Sequence, residues 1–301
     1  MDVKLAIVIP YFKDHYIQET FDSLLRQSDK NFTLYIGDDA SPISPIEKLK
    51  GLDVTVDYHY HRFEENLGGK SLVKQWERCL DLVQNEEWIC ILGDDDCISE
   101  NFVSEFYAHL PKLEQNNANL LKFGVEKIDE QSQVIESKKP INAVTAAQAF
   151  ENKFYGDGHS SLSEYIFRKE AYTKYGFRNY PLAWCSDDMA WLDFSEEKII
   201  PFCKKAYVQF RLSPQSISGS KNDQKWEAKR QFFQDLVNEK SHLFPKKIQL
   251  KNLKRFEIFT VRTKKLKWRH VGFFFTRFLN LGRLDECFKF VIRFLINKLS
   301  Q

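Results

Sequence analysis

The stretch Trp88-Ile89-Cys90-Ile91-Leu92-Gly93-Asp94-Asp95-Asp96 sets a short apolar run directly against three consecutive carboxylates. A continuous apolar run of this length, closed by glycine, reads as a strand buried on both faces. Ionised groups at the end of such a strand repel one another and resist losing water, so the cluster is unfavourable unless something positive binds it. By itself the stretch admits three readings: a divalent cation carrying a phosphate, a helix N-cap with extra charge on the turn, or a solvated acidic loop.

Upstream, Leu5-Ala6-Ile7-Val8-Ile9-Pro10 is another buried-strand run, followed by the loop Tyr11-Phe12-Lys13-Asp14. Ile17, Phe21, Leu24 and Leu25 then fall at helical spacing. Phe32-Thr33-Leu34-Tyr35-Ile36-Gly37 reads as a second strand and ends in Asp38-Asp39-Ala40-Ser41-Pro42. Strand, helix and strand within about 35 residues is a βαβ unit, and open α/β sheets bind ligands at the strands' carboxyl ends. A third strand is expected over residues 54–60. Beyond it, Asn66-Leu67-Gly68-Gly69-Lys70-Ser71 offers backbone N–H groups and one cation at a helix start, either a phosphate neighbour or an ordinary glycine turn with a capping serine. The fold class is therefore α/β, a mainly parallel sheet flanked by helices.

Downstream of the aspartates, the pattern gives a helix over residues 102–113, a strand over 120–125, a polar surface excursion over 130–140 and a short helix over 143–150 with Thr145 as cap. His159 stands in a polar glycine-rich loop, either helping to hold a substrate or idle. Trp184-Cys185-Ser186-Asp187-Asp188-Met189-Ala190-Trp191-Leu192 has two readings. Ser186 caps a helix whose first turn places Asp187 and Asp188 favourably against the helix dipole, or one of the two carboxylates is a general base. The loop of residues 213–220 is too polar to pack, and helices are expected from residue 226 onward.

The chain has 301 residues, 26 of them Phe, and a net charge of +2. Residues 245–301 hold 15 Lys or Arg against Glu257, Asp285 and Glu286, a local +12, which leaves −10 for the first 244 residues. The division expected is an α/β domain over residues 1–220 and a basic, aromatic-rich helical region over 221–301. The six cysteines form no CxxC pair, which fits a reducing, cytoplasmic setting. No apolar stretch reaches membrane-spanning length, and none reads as a leader.

Taken jointly, Ala6-Ile7-Val8-Ile9-Pro10-Tyr11-Phe12, Ile36-Gly37-Asp38-Asp39-Ala40-Ser41, Asn66-Leu67-Gly68-Gly69, Leu92-Gly93-Asp94-Asp95-Asp96 and Trp184-Cys185-Ser186-Asp187-Asp188 resemble the inverting family 2 glycosyltransferases with a GT-A fold, of the bacterial surface-polysaccharide type. The resemblance covers roughly residues 3–220. It implies that Pro10 and Tyr11 line the base and ribose pocket of a nucleotide-sugar, a UDP-sugar being typical. Asp39 would accept from the base ring N–H, and Asn66, Gly68 and Lys70 would border the donor. Asp94, Asp95 and Asp96 would supply the DxD motif, with Asp96 the preferred ligand for Mn²⁺ or Mg²⁺, Asp94 toward the ribose and Asp95 the alternative ligand. Asp188 matches the family's catalytic base, with Asp187 standing where a Glu is usual. The late histidine that many GT-A enzymes give the metal is missing after Phe210, so either Arg211 or the 213–220 loop is expected to meet the phosphates, or water to complete the metal shell. The acceptor implied is a hydroxyl of a glycan or a lipid-linked molecule.

The basic tail reads either as peripheral contact with an anionic membrane or as a helical subdomain with solvated lysines. No nucleic-acid motif accompanies its charge, and nucleic acid is not expected as a partner. A nucleotidyltransferase of the same layering would carry a glycine-rich basic loop after its first strand, which Tyr11-Phe12-Lys13-Asp14 is not. A non-catalytic, membrane-associated nucleotide-binding module stays open on sequence alone.

Overall fold

Strand β1 (Leu5–Tyr11) forms because Leu5 to Ile9 are apolar without interruption, and all five are buried on both faces of the sheet. This computed structural model describes residues 4–52, 55–138, 143–213 and 223–299. Helix α1 (Ile17–Leu25) turns Ile17, Phe21 and Leu24 inward. Strand β2 (Thr33–Asp38) then pairs parallel with β1, Tyr11 standing opposite Asp38, so both strands end at the same edge. After the single turn α2 (Ile46–Leu49), β3 (Asp57–Arg62) adds parallel to β2. Helix α3 (Leu72–Leu80) starts on Ser71, whose hydroxyl accepts from the Lys74 amide, and covers the face of β1 and β2 opposite to α1.

The opening stretch becomes β4 (Trp88–Ile91), parallel to the other side of β1, with the aspartates on the turn that follows. Strand β5 (Cys97–Ile98) and helix α4 (Phe102–Gln115) come next. Phe102, Phe106 and Leu110 of α4 share one core with α1 and with Leu5, Ile7 and Ile9. Strand β6 (Leu120–Ile128) runs three residues beyond the expected end. The 130–140 excursion is not loop throughout: β7 (Val134–Lys138) returns antiparallel on β6. Its apolar residues Val134 and Ile135 are adjacent rather than alternating and both exposed, and Glu136 and Lys138 suit an edge strand, which is why alternation did not reveal it.

A capping box on Thr145 and Gln148 starts α5 (Ala146–Tyr155), just after β8 (Val144–Thr145). Strand β9 (Tyr165–Arg168) lies antiparallel between β4 and β6 and joins the two halves of the sheet. Helices α6 (Lys169–Tyr175) and α7 (Ser186–Phe194) follow. Strand β10 (Ile199–Ile200) pairs with β8, and β11 (Phe202–Arg211) pairs parallel with β6 and antiparallel with β5. The main sheet runs β3-β2-β1-β4-β9-β6-β11-β5, with β7 beside β6.

Two compact units divide the chain: residues 1–179 with 186–221, and residues 180–185 with 222–301. The second differs from the expected 221–301 region by recruiting residues 180–185, where Tyr180 donates to Asp235 at 2.7 Å and packs on Phe232. It comprises α8 (Gln224–Glu239), α9 (Lys246–Arg262), α10 (Arg269–Asn280) and α11 (Leu284–Leu299). No helix among the described residues is long and apolar enough to cross a membrane. All six cysteines are buried.

Candidate active site

Parallel strands β1, β2 and β4 end together, and each delivers polar groups to that edge. Asp39 leaves β2 with its carboxylate buried. Its Oδ1 accepts from the Leu67 amide at 2.7 Å and from the Arg78 guanidinium, and its Oδ2 from the Gly68 amide at 2.9 Å. A Cβ on Gly68 would lie 2.6 Å from Asp39 Oδ2, so glycine is what lets this amide approach. Asn66 Oδ1 accepts from the Gly69 amide at 2.6 Å and shapes the same turn. Lys70 is exposed and pairs with Glu65 at 2.6 Å. Tyr11 faces the core, its hydroxyl donating to the Ile43 carbonyl at 2.7 Å, while its own carbonyl accepts from the Asp39 amide. Pro10, beside it, is half-buried.

The three aspartates are held in three different ways. Asp94 Oδ2 accepts from the amides of Phe12 and Lys13 at 2.8 and 2.7 Å, which ties the β1 loop to the end of β4. Asp96 Oδ2 accepts from Ser163 Oγ at 2.7 Å and its Oδ1 from the Arg211 amide at 3.1 Å. Asp95 is the most open, with the Lys13 ammonium 3.9 Å away. Burial first, and the charge of Asp95 second, push the Asp94 carboxyl up to about 6 and that of Asp96 up to about 7. Burial raises Asp95 as well, against the pull of Lys13. This is the electrostatic signature of a carboxylate cluster short of positive charge.

Oxygen-only donors at one strand end suit a hard divalent cation. Asp96 also has the outer hydrogen bonds that orient a ligating carboxylate. The residues present fit Mn²⁺ or Mg²⁺. A separate grouping of Glu105, His109 and Cys203, with donor atoms within 4.8 Å, sits at the opposite end of β11 from Arg211 and consists of groups already bonded to one another.

Arg211 is not free for a phosphate. Its Nε donates to the Asp95 carbonyl at 3.0 Å, Nη1 to the Asp129 carbonyl and Ser132 Oγ at 3.0 and 2.9 Å, and Nη2 to Glu19 at 2.8 Å. Tyr16 lies against the guanidinium 4.0 Å from its ring centre. The arginine is a fully buried brace joining β11, the aspartate turn, α1 and the β6–β7 hairpin. Of the 213–220 loop expected to share the phosphates, residues 214–220 lie outside the described residues.

Asp187 and Asp188 occupy the first turn of α7. Ser186 is the first helical residue rather than the cap, and its buried hydroxyl has no hydrogen-bond partner among the described residues. Lys153 from α5 donates to Asp188 Oδ1 at 2.6 Å and stands 4.0 Å from Asp187. Burial, then the neighbouring Asp188, raise Asp187 to about 7, with Lys153 opposing. Lys153 was invisible to sequence reasoning because it lies past the expected end of its helix.

His159 is not idle. Its Nδ1 is 2.6 Å from Glu164 Oε1, and Lys122 donates to the His159 carbonyl at 2.6 Å. Burial would raise the Glu164 carboxyl, but Lys122, His159 and Ser161 hold it down at about 2. Lys122, His159 and Glu164 line a cavity of about 790 Å³, together with Asn152 and Ala149 of α5, the helix that carries Lys153.

The family model of glycosyl transferase family 2 matches residues 6–176. S. aureus TarS 1–349 in complex with UDP-GlcNAc is similar in structure with a TM-score of 0.63, covering 92% of this chain and 80% of that one at 15% identity. The same fragment in complex with UDP gives 0.61, with the same coverage and identity. Longer TarS gives 0.60 at 14% identity, covering 92% of this chain and 48% of that one. No curated protein sequence matches the chain. With its family model matching more than half of the residues, the chain belongs to glycosyl transferase family 2.

Proposed function

We propose that the chain is a metal-dependent, inverting glycosyltransferase that moves a hexosyl or N-acetylhexosaminyl group from a UDP-sugar to a hydroxyl of a glycan or lipid-linked acceptor in bacterial polysaccharide assembly. The observation that carries this reading is the buried, charge-deficient Asp94–Asp96 cluster at the edge where Asp39 also emerges. The UDP and UDP-GlcNAc complexes of TarS on the same fold support the donor class.

Asp39 receives the base ring N–H, with Pro10 and the Tyr11 backbone flooring the base and ribose. The Asn66–Gly68 turn and Lys70 border the donor. Asp94 fixes the 12–13 loop beside the ribose, while Asp96, with Asp95 as its neighbour, would hold Mn²⁺ or Mg²⁺. When bound, that ion neutralises the diphosphate leaving group. On the other side of the sugar, Asp188 takes the acceptor proton. Its neighbour Asp187 shares the first turn of α7, and Lys153 anchors the pair. A base opposite the leaving group gives single displacement with inversion, by analogy with inverting hydrolases. The cavity walled by His159, Glu164 and Lys122 gives an acceptor room next to α5. A lipid-linked acceptor would bring this chemistry to the inner face of the cell membrane.

The test is Asp188→Asn with UDP-sugar donors. Transfer should fall by about 10²–10⁴, the range of general-base catalysis, with UDP affinity in Mn²⁺ unchanged. If calorimetry finds no UDP binding by the native chain with either metal, the reading fails.

A further inference from the structure

Helix α11 is apolar on two sides. Cys287, Phe290 and Phe294 form one side and are buried. Leu284, Phe288, Ile292, Leu295 and Leu299 form the other. At intervals of four, four, three and four residues they make one stripe along a 16-residue helix, about 24 Å long at helical rise. This second stripe is exposed, Phe288 at 65%, Ile292 at 57% and Leu299 at 88%. Ile258 of α9 extends the apolar surface, across a groove of about 570 Å³ that also includes Val261 and Ile296. Trp268, 67% exposed, rests its ring on Phe294 with centroids 4.7 Å apart.

The segment that carries this face is strongly cationic. Each acid in residues 245–301 is already paired: Glu257 with Arg293, Glu286 with Lys254, and Asp285 with Arg283 and Lys289. What they leave is the surplus of +12 counted from the sequence. An exposed apolar stripe in a segment of strong net positive charge matches an anionic lipid interface, where such helices lie in the plane of the headgroups. A second copy would present the same cationic surface and be repelled.

We propose that the outer stripe of α11, with Ile258 beside it, docks the protein on an anionic bilayer, the helix lying flat. The inference deepens the membrane-facing half of the proposed function and does not depend on the reaction chemistry. Full-length protein is sedimented with vesicles of phosphatidylglycerol and phosphatidylcholine, and with phosphatidylcholine alone. The triple variant Phe288→Ser, Ile292→Ser, Leu295→Ser runs beside it, as does Ile292→Glu. All proteins are also assayed for UDP binding and for mass by light scattering. Native protein should bind the anionic vesicles at least tenfold better than the neutral ones. Both variants should need at least tenfold more anionic lipid while keeping monomeric mass and UDP affinity. Native protein left in the supernatant, variants that bind as well as native, or a native dimer that the variants dissociate would each overturn the proposal. Loss of UDP binding by the native chain would instead strike the catalytic reading.

Discussion

Metal binding at Asp94–Asp96 should be strongly pH-dependent, and the structure fixes the sign. In the folded chain Asp96 titrates near 7 and Asp94 near 6, against an ordinary value of 3.8. Between about pH 4 and 7 the folded state therefore holds more protons than the unfolded one, and stability falls as pH rises through that window. At about 1.4 kcal/mol per unit, the shift of Asp96 corresponds to on the order of 4 kcal/mol of lost stability by pH 8. A divalent cation reverses this. At a hundred times its Kd it adds about 2.7 kcal/mol, roughly 5 °C in Tm for a chain of this size. The assay is thermal unfolding with and without Mn²⁺ at pH 8.0 and pH 5.0. Mn²⁺ should raise Tm at pH 8.0 and do little at pH 5.0, where protons already hold the site. Asp96→Asn should raise the metal-free Tm at pH 8.0 and remove the Mn²⁺ response, and Asp187, raised to about 7, should keep part of the pH slope in that variant. An equal Mn²⁺ shift at both pH values, or one that survives Asp96→Asn, would refute the assignment.

Three further outcomes follow from single contacts. Lys153→Gln removes the cation 2.6 Å from Asp188. Transfer should drop about tenfold or more, and the acid limb of its pH profile should move upward, because Lys153 is the cation that holds the Asp187 carboxyl down; an unmoved limb would take Lys153 out of the site. Arg211→Met leaves the carbonyls of Asp95 and Asp129 without their donor. At about 1–3 kcal/mol per buried unpaired group, urea unfolding should show a loss of roughly 3 kcal/mol, and native-like stability would contradict its role as brace. In Gly68→Ala the new methyl must displace the Asp39 carboxylate. The Kd for UDP should rise about tenfold by calorimetry, and unchanged affinity would remove Asp39 from base recognition.

What the sequence disclosed follows from which physical signals are local. Buried strands such as β1 and β4 announce themselves because both faces must be apolar. The Thr145 cap is legible because its partner Gln148 is three residues away. By contrast, β7 is an edge strand whose apolar residues do not alternate, and the two-residue strands β5, β8 and β10 exist only through long-range pairing. The same limit applies at the site. Asp39, Asp94–Asp96 and Asp187–Asp188 stand out as carboxylates at element ends. Lys153, Ser163 and Arg211 matter through partners 35, 67 and 115 residues away, a distance no local pattern spans. Arg211 is the sharpest case, because a lone arginine beside a polar loop suggests a phosphate ligand, and only the fold shows its guanidinium enclosed.

The run of three aspartates can be understood without redundancy. Asp94 faces β1 and sets the 12–13 loop through two backbone amides. Asp96 faces the far half of the sheet and is fixed by Ser163 and the end of β11. Between them, Asp95 offers its carbonyl to Arg211 and leaves its carboxylate the most accessible of the three. The turn thus couples the half of the sheet that carries Asp39 to the half that carries β9 and β11. Any ligand that draws the three carboxylates together must pull on both halves. Removing Asp94 should therefore disturb the 12–13 loop before it disturbs metal affinity, whereas removing Asp96 should do the reverse. Hydrogen exchange at the Phe12 and Lys13 amides in Asp94→Asn and Asp96→Asn separates the two: faster exchange in both variants alike would mean that the aspartates act as one undivided cluster.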